Sequence, residues 1–293
     1  MHAELHDNRV RIRDKTIISM IHGEGFGTMK KGKLDLSPVE ALYLSETGRI
    51  DLTPEDLSFV FDERRFETIY PIYRDLRRKG FGIRVGREIM ATGKRGKLRA
   101  LPFRERDGVI LGGLLRKIRR GRMIAMVVDD ELDITSYEIS LFKPQNYQLP
   151  LEGGEFRIAG SLALLPDLTS SISLYEANYL SEKGSARIVP AEGLNGIKEN
   201  RDFLMRYRVY EHLRDHGYVP KSGFKYGSDF RVYNFKIDEI HAPYLVHCYR
   251  ERRRLLWNEI SRASRLAQNV KKKMLFATVG SKVNYIKFER IKL

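Results

Sequence analysis

Cysteine is nearly absent from this chain: of 293 residues, only Cys248 carries a thiol. An intramolecular disulfide is impossible, and the composition suits a reducing compartment, so a cytoplasmic protein is expected. No apolar run approaches the roughly 20 residues that span a bilayer. The opening MHAELHDNRVRIRDK lacks the apolar core of a secretion signal, so neither membrane insertion nor export is expected. The sequence also contains no Asp-x-Lys or Glu-x-Lys, the carboxylate–lysine pattern common on strands of metal-dependent DNA nucleases. GEGFG (23–27) imitates a phosphate-binding loop, but no Gly-Lys-Ser/Thr follows it, and a plain loop without a nucleotide cofactor is expected. Histidine is sparse and uneven. The seven stand at 2, 6, 22, 212, 216, 241 and 247, leaving a long span without imidazole.

Basic residues dominate what is present. Lys and Arg number 53 against 38 Asp and Glu, a net charge of +15. The last 53 residues, 241–293, hold 13 Lys/Arg against Glu251, Glu259 and Glu289, a net +10. Such a field favours a polyanion. No long basic amphipathic helix offers an aromatic face to a membrane, so nucleic acid is the expected partner. Hydrophobic residues at 42% and aromatics at 10% indicate a folded chain, long enough for two cores.

The chain repeats itself. SPVEALYLSETG (37–48) matches SLYEANYLSEKG (173–184) at eight of twelve positions. FETIYPIYRDLRRKGF (66–81) resembles FLMRYRVYEHLRDHGY (203–218), and MIAMVVDDELDITSYEISLF (123–142) resembles MLFATVGSKVNYIKFERI (274–291). The order is conserved and the offsets are 136, 137 and about 150, which indicates duplication of a unit of roughly 145 residues. LPLEGGEF (149–156) is the natural joint. Periodicity predicts amphipathic helices over the first two pairs, with strands at DFRVYNF, PYLVHCY, KMLFATV and VNYIKFERI. NEISRASRLAQNV reads as a helix capped by Asn258, with Ile260, Ala263, Ala267 and Val270 on one face. The expected fold is α/β (α+β) in two tandem repeats, each a small helical/αβ lobe followed by a mixed-sheet lobe. The lobes are expected at 1–64, 65–148, 149–200 and 201–293.

Reactive side chains crowd into the second copy. Aligned by letters, Tyr233 in FRVY faces Gly86 in IRVG, Lys272 faces Gly121, Arg265 faces Leu114 and Arg290 faces Leu141. No histidine lies opposite His241. One working site per chain and one scaffold half are expected. A tyrosine, a histidine and a lysine suit RNA cleavage without metal. The 2′-hydroxyl attacks its own phosphate once a base takes its proton; an acid then protonates the departing 5′-oxygen, and a cation steadies the phosphorane. Imidazole suits the acid and ammonium the cation. A phenol ordinarily ionises near about pH 10, so as the base it needs positive charge around it.

Tyr233 followed eight residues later by His241, HAPYLVH, Arg265 followed by Lys272 in RLAQNVKKK, and the closing YIKFERIK together resemble the archaeal tRNA-splicing endonucleases of the homodimeric, two-repeat type. The resemblance spans the chain and is most specific at its C-terminal end. It implies that Tyr233 is the general base, His241 the general acid and Lys272 the transition-state stabiliser, with no metal or cofactor. It further implies that Arg265 and Arg290 sandwich an extruded base of a bulge–helix–bulge precursor tRNA, leaving 2′,3′-cyclic phosphate and 5′-hydroxyl ends. The family's usual Ser after the histidine is Ala242 here. An acidic loop of the scaffold copy, Asp129, Asp130, Glu131 and Asp133, is implied to dock into the basic half of a second subunit, giving a homodimer.

Each residue alone has an ordinary reading: Tyr233 as a half-buried strand residue, His241 and His247 as loop and strand packing, Lys272 as solvated surface. Arg290 over Ile286 and Phe288 is an ordinary snorkelling arginine, and the acidic loop an ordinary hairpin tip. LLRKIRRGR (114–122) is a solvated face or a phosphate contact, and Trp257 a core or interface anchor. Two other functions compete. A metal-dependent DNA nuclease or resolvase lacks its carboxylates here, and a non-catalytic RNA-binding subunit would not require the three reactive residues together in one copy.

Overall fold

Helix punctuation recurs at matching places in the two halves, and the folded chain follows it. The computed structural model describes residues 3–6, 9–53, 65–86, 88–94, 96–118, 123–147, 150–151, 153–167, 169–190, 194–195, 199–234 and 241–293. The first half runs β1 (Ala3–His6), β2 (Arg9–Ile12), α1 (Lys15–Gly23), β3 (Thr28–Lys30), β4 (Lys33–Leu36), α2 (Pro38–Glu46) and α3 (Phe66–Arg78). It continues through β5 (Gly82–Val85), β6 (Ile89–Gly93), β7 (Gly96–Arg104), β8 (Gly108–Ile110), α4 (Leu111–Ile118), β9 (Met123–Val128) and β10 (Ile134–Phe142). The second half supplies β11 (Gly154–Ala159), β12 (Leu162–Leu164), β13 (Ser171–Ser173), α5 (Leu174–Glu182), β14 (Ala186–Val189) and α6 (Arg201–Asp215). After these come β15 (Val219–Ser222), β16 (Phe230–Tyr233), β17 (Tyr244–Arg250), β18 (Arg254–Leu256), α7 (Trp257–Asn269), β19 (Lys273–Val279) and β20 (Val283–Ile291). No helix among the described residues is long and apolar enough to cross a membrane.

Two compact units form. One comprises Met1–Asp107, Arg120–Glu138 and Arg290–Leu293; the other comprises Gly108–Arg119 and Ile139–Glu289. In the first, a sheet ordered β1-β2-β4-β3 carries α1 and α2, and Ile12, Ile21, Leu34, Leu36 and Leu44 fill its core. Of GEGFG, Gly23 ends α1 and residues 24–27 form the expected loop after it. Helix α3 then buries Ile72, Tyr73 and Leu76 in the core it shares with the run β5-β6-β7-β9.

The second unit repeats the plan. A sheet ordered β13-β12-β11-β14 carries α5, and α6 lies between that layer and the run β15-β16-β17-β19-β20. Asn200 caps α6 by accepting from the Asp202 and Phe203 amides at 2.9 and 3.0 Å. The helix buries Phe203, Tyr207, Tyr210 and Leu213, with Phe203 stacked on Tyr175 at 4.6 Å. Full burial of an apolar side chain of this size contributes about 1.5–3 kcal/mol. Gly80 and Gly217, at φ +81° and +77°, follow α3 and α6 in a conformation other residues adopt at a cost.

Strand register corrects one sequence alignment. Val219 pairs with Tyr233 between β15 and β16, and Gly82 pairs with Thr92 between β5 and β6. IRVG therefore lies on the counterpart of β15, and Tyr233 corresponds to Thr92 rather than to Gly86. No phenol stands there either. Helix α4 starts at Leu111 directly after β8 and α7 at Trp257 directly after β18, so Leu114 corresponds to Ile260 rather than to Arg265. The cap of α7 is Leu256 rather than Asn258, because Glu259 reaches back to accept from the Leu256 amide at 2.7 Å. Its buried face is Trp257, Ile260, Ser261, Ser264 and Ala267, while Val270 is exposed past the helix end.

Candidate active site

Parallel strands β17 and β19 require a long crossover, and β18 with α7 provides it. Both strands begin at the end of the sheet where antiparallel β16 finishes: Val232 pairs with Tyr244, and Tyr244 with Lys273. Tyr233 ends β16, His241 lies three residues before β17, and Lys272 immediately precedes β19, so the three stand at the same end of three adjacent strands. With strands 4.7–4.9 Å apart, the backbones carrying Tyr233 and Lys272 are about 10 Å apart.

The end of α7 aims Lys272. The Lys272 amide donates to the Ala267 carbonyl at 2.8 Å and the Lys271 amide to that of Gln268 at 3.0 Å, with Lys271 left-handed at φ +55°. These are the paired bonds of a Schellman stop, with lysine where glycine is usual. Lys272 then extends its ammonium to the Ala242 carbonyl at 2.6 Å, and the Lys273 amide donates to the Pro243 carbonyl at 2.9 Å. The residues next to His241 are thus stitched to the lysine. A backbone carbonyl, independent of whether position 242 carries a hydroxyl, makes the contact.

Tyr233 is half-buried at the end of β16, and the Arg231 guanidinium stands 5.8 Å from its ring centroid. His241 is exposed, while Ala242 behind it is buried. Residues 235–240, which link the two strands, lie outside the described residues. His247 is half-buried on β17, 3.8 Å from Asp229, in keeping with a packing role. Asp229 also accepts from the Arg206 guanidinium at 2.6 Å and the Cys248 amide at 2.8 Å. Burial opposes its charge, but the bonds from His247, Cys248 and Arg206 outweigh that and hold its pKa below the ordinary value. The Cys248 thiol is buried, and desolvation pushes its pKa well up. Among the described residues no cluster of three His, Cys, Asp or Glu is arranged to hold a metal ion.

The remaining candidates are less gathered. Arg265 is exposed on the outer face of α7, beside Arg262 and Leu266. Arg290 is exposed near the end of β20 and is the first of four residues that group with the other unit. In that unit the acidic turn is a built structure. Asp129 Oδ1 accepts from the amides of Glu131 and Asp133 at 3.0 and 2.9 Å, and Leu132 is left-handed at φ +65°. Asp130 pairs with Arg106 at 2.7 Å and Arg104 at 3.5 Å, whereas Glu131 and Asp133 are exposed. Of the basic run 114–122, Leu114, Leu115 and Ile118 are buried, Arg116 and Lys117 are exposed, and 119–122 lie outside the described residues. Trp257 is fully buried against Phe288, a core anchor.

Sequence reasoning missed the turn Gly223–Gly227. Its Tyr226 ring lies 5.6 Å from the Lys272 ammonium and 5.1 Å from that of Lys225. The available signal was an aromatic–basic–aromatic run between two glycines, a composition suited to nucleic acid.

The second unit thus carries Tyr233, His241 and Lys272 at one end of its mixed sheet. The family described as tRNA intron endonuclease, catalytic C-terminal domain, matches residues 203–285, and its N-terminal domain matches residues 1–64. A tRNA-splicing endonuclease of Methanococcoides burtonii is 29% identical over 367 residues, covering 100% of both chains. One of Pyrococcus horikoshii is 39% identical over 132 residues, covering 40% of this chain and 76% of that relative. The chain belongs to the tRNA intron endonuclease family.

Proposed function

We propose that this protein cleaves precursor tRNA at both splice sites of a bulge–helix–bulge, without metal. In this reading Tyr233 takes the proton of the 2′-hydroxyl at the cut site. The 2′-oxygen bonds to the adjacent phosphorus, the bond from phosphorus to the 5′-oxygen breaks, and His241 gives that oxygen its proton. The products are a 2′,3′-cyclic phosphate and a 5′-hydroxyl. Lys272 stabilises the charge on the phosphorane oxygens. An ammonium has three donors; with one on Ala242, two remain for the phosphate.

The observation that carries the reading is the hydrogen bond from Lys272 Nζ to the Ala242 carbonyl, next to His241, at the sheet end where Tyr233 finishes β16. Arg265 and Arg290 are assigned to the flanks of an extruded bulge base, on which a planar guanidinium stacks. Two chains are proposed to pair, each contributing one site and one acidic turn. The test is cleavage of a bulge–helix–bulge RNA in excess EDTA, with the ends analysed chemically. Cleavage with cyclic phosphate ends is expected, and a 2′-deoxy sugar at the cut site is expected to bind uncut. Dependence on added metal, or normal cleavage of the deoxy substrate, overturns the mechanism.

A further inference from the structure

Phe224 is 89% exposed, and no other large hydrophobic among the described residues exceeds 51%. A lone exposed apolar side chain says little by itself. Its setting says more, because the turn that presents it is pinned throughout. The Tyr226 amide donates to the Gly223 carbonyl at 2.8 Å and the Gly227 amide to the Phe224 carbonyl at 2.9 Å. The Gly223 amide donates to the Asp229 carbonyl at 3.2 Å, and the Asp229 side chain is itself held by Arg206 and the Cys248 amide. A Cβ on Gly223 would stand 2.6 Å from the Ser228 carbonyl oxygen, and Gly227 sits at φ +61°, so both glycines are required by the turn. Rigid backbone thus holds a phenyl ring out in water. Two residues further on, the Tyr226 ring lies 5.1 Å from the Lys225 ammonium and 5.6 Å from the Lys272 ammonium.

An apolar ring in water, on a turn whose Tyr226 ring lies beside two ammonium groups, suits a ligand that is flat and apolar at one end and anionic at the other. A nucleotide is such a ligand: its base offers a π-face and its phosphate a charge. We infer that Phe224 is a substrate-positioning residue that stacks on an unpaired nucleobase of the RNA, close to the phosphate that Lys272 faces. This rests on the proposed reading of the site as an RNA-cleaving centre. A base paired within a helix is already stacked on both faces and cannot be received, so the platform selects unpaired nucleotides and tolerates any base identity.

The experiment uses the full chain, with wild type, Phe224→Ala, Phe224→Leu and Phe224→Trp on one bulged RNA. Loss of one stacked base weakens binding by about 5- to 150-fold. Phe224→Ala is expected to raise KM by that factor with a small change in kcat, Phe224→Trp to restore it, and Phe224→Leu to fail. An RNA carrying an abasic residue at the stacked position is expected to abolish the difference between wild type and Phe224→Ala. Wild-type KM for Phe224→Ala, or equal rescue by Leu, overturns the inference. Sedimentation of Phe224→Ala as a smaller species than wild type also overturns it, marking Phe224 as a contact between chains. Failure of the wild type itself to cleave overturns the RNA-cleaving reading and this inference with it.

Discussion

Two adjacent lysines do different work at the end of α7. Lys271 occupies the left-handed position that completes the Schellman stop, at φ +55°, where any side chain beyond glycine carries steric strain. Lys272 carries the ammonium bound to the Ala242 carbonyl. Lys271→Gly is therefore expected to raise stability by about 0.5–1 kcal/mol in a denaturant melt and to keep cleavage intact. Lys272→Ala is expected to slow the single-turnover chemical step by about 10²–10³-fold, and His241→Ala by about 10²–10⁴-fold, each with RNA binding little changed. Loss of cleavage in Lys271→Gly would show that the two lysines share the role.

Beneath the site, Asp229 ties three elements together. It receives Arg206 from α6 and the Cys248 amide from β17, and its own carbonyl anchors the Phe224 turn. Asp229→Asn puts an amide where donors converge and leaves a buried donor unmatched, a loss of about 1–3 kcal/mol. The pH dependence has a definite sign. The folded-state pKa of Asp229 is held below its ordinary 3.8, so its stabilisation is fully present above that value and declines as pH falls through the folded one. The stability gap between wild type and Asp229→Asn, measured by urea unfolding, is expected to shrink as pH falls below about 4. A gap that widens below that pH would contradict the charged state assigned to this carboxylate.

For the whole molecule, the proposed reading gives each chain one Tyr233–His241–Lys272 site, while an intron has two ends, so a two-fold pair of chains matches the proposed substrate. The acidic turn proposed to join them divides by side chain. Asp129 holds the turn and Asp130 pairs with Arg106, which leaves Glu131 and Asp133 exposed to meet a basic surface. Glu131→Lys with Asp133→Lys is expected to give a folded protein that sediments increasingly as monomer and cleaves poorly. Raised salt is expected to weaken wild-type assembly. An undisturbed, active dimer in the double variant would leave the turn as ordinary surface.

Local pattern was legible in the sequence. Helical spacing and glycine stops marked α2, α3, α5 and α6, and β19 and β20 were visible as an apolar run and an alternating one, because these signals lie within a few residues of one another. The uneven distribution of histidine and of positive charge pointed to the second half of the chain for the same reason. Register was not legible. Matching letters set Tyr233 against Gly86, whereas hydrogen bonding across β5–β6 and β15–β16 makes Thr92 its counterpart. Three contacts were equally hidden: Lys272 on the Ala242 carbonyl, Tyr226 beside Lys272, and Asp229 beneath β17. Each joins residues far apart along the chain or on different elements, and such approaches are decided only when sheet register and helix packing close together.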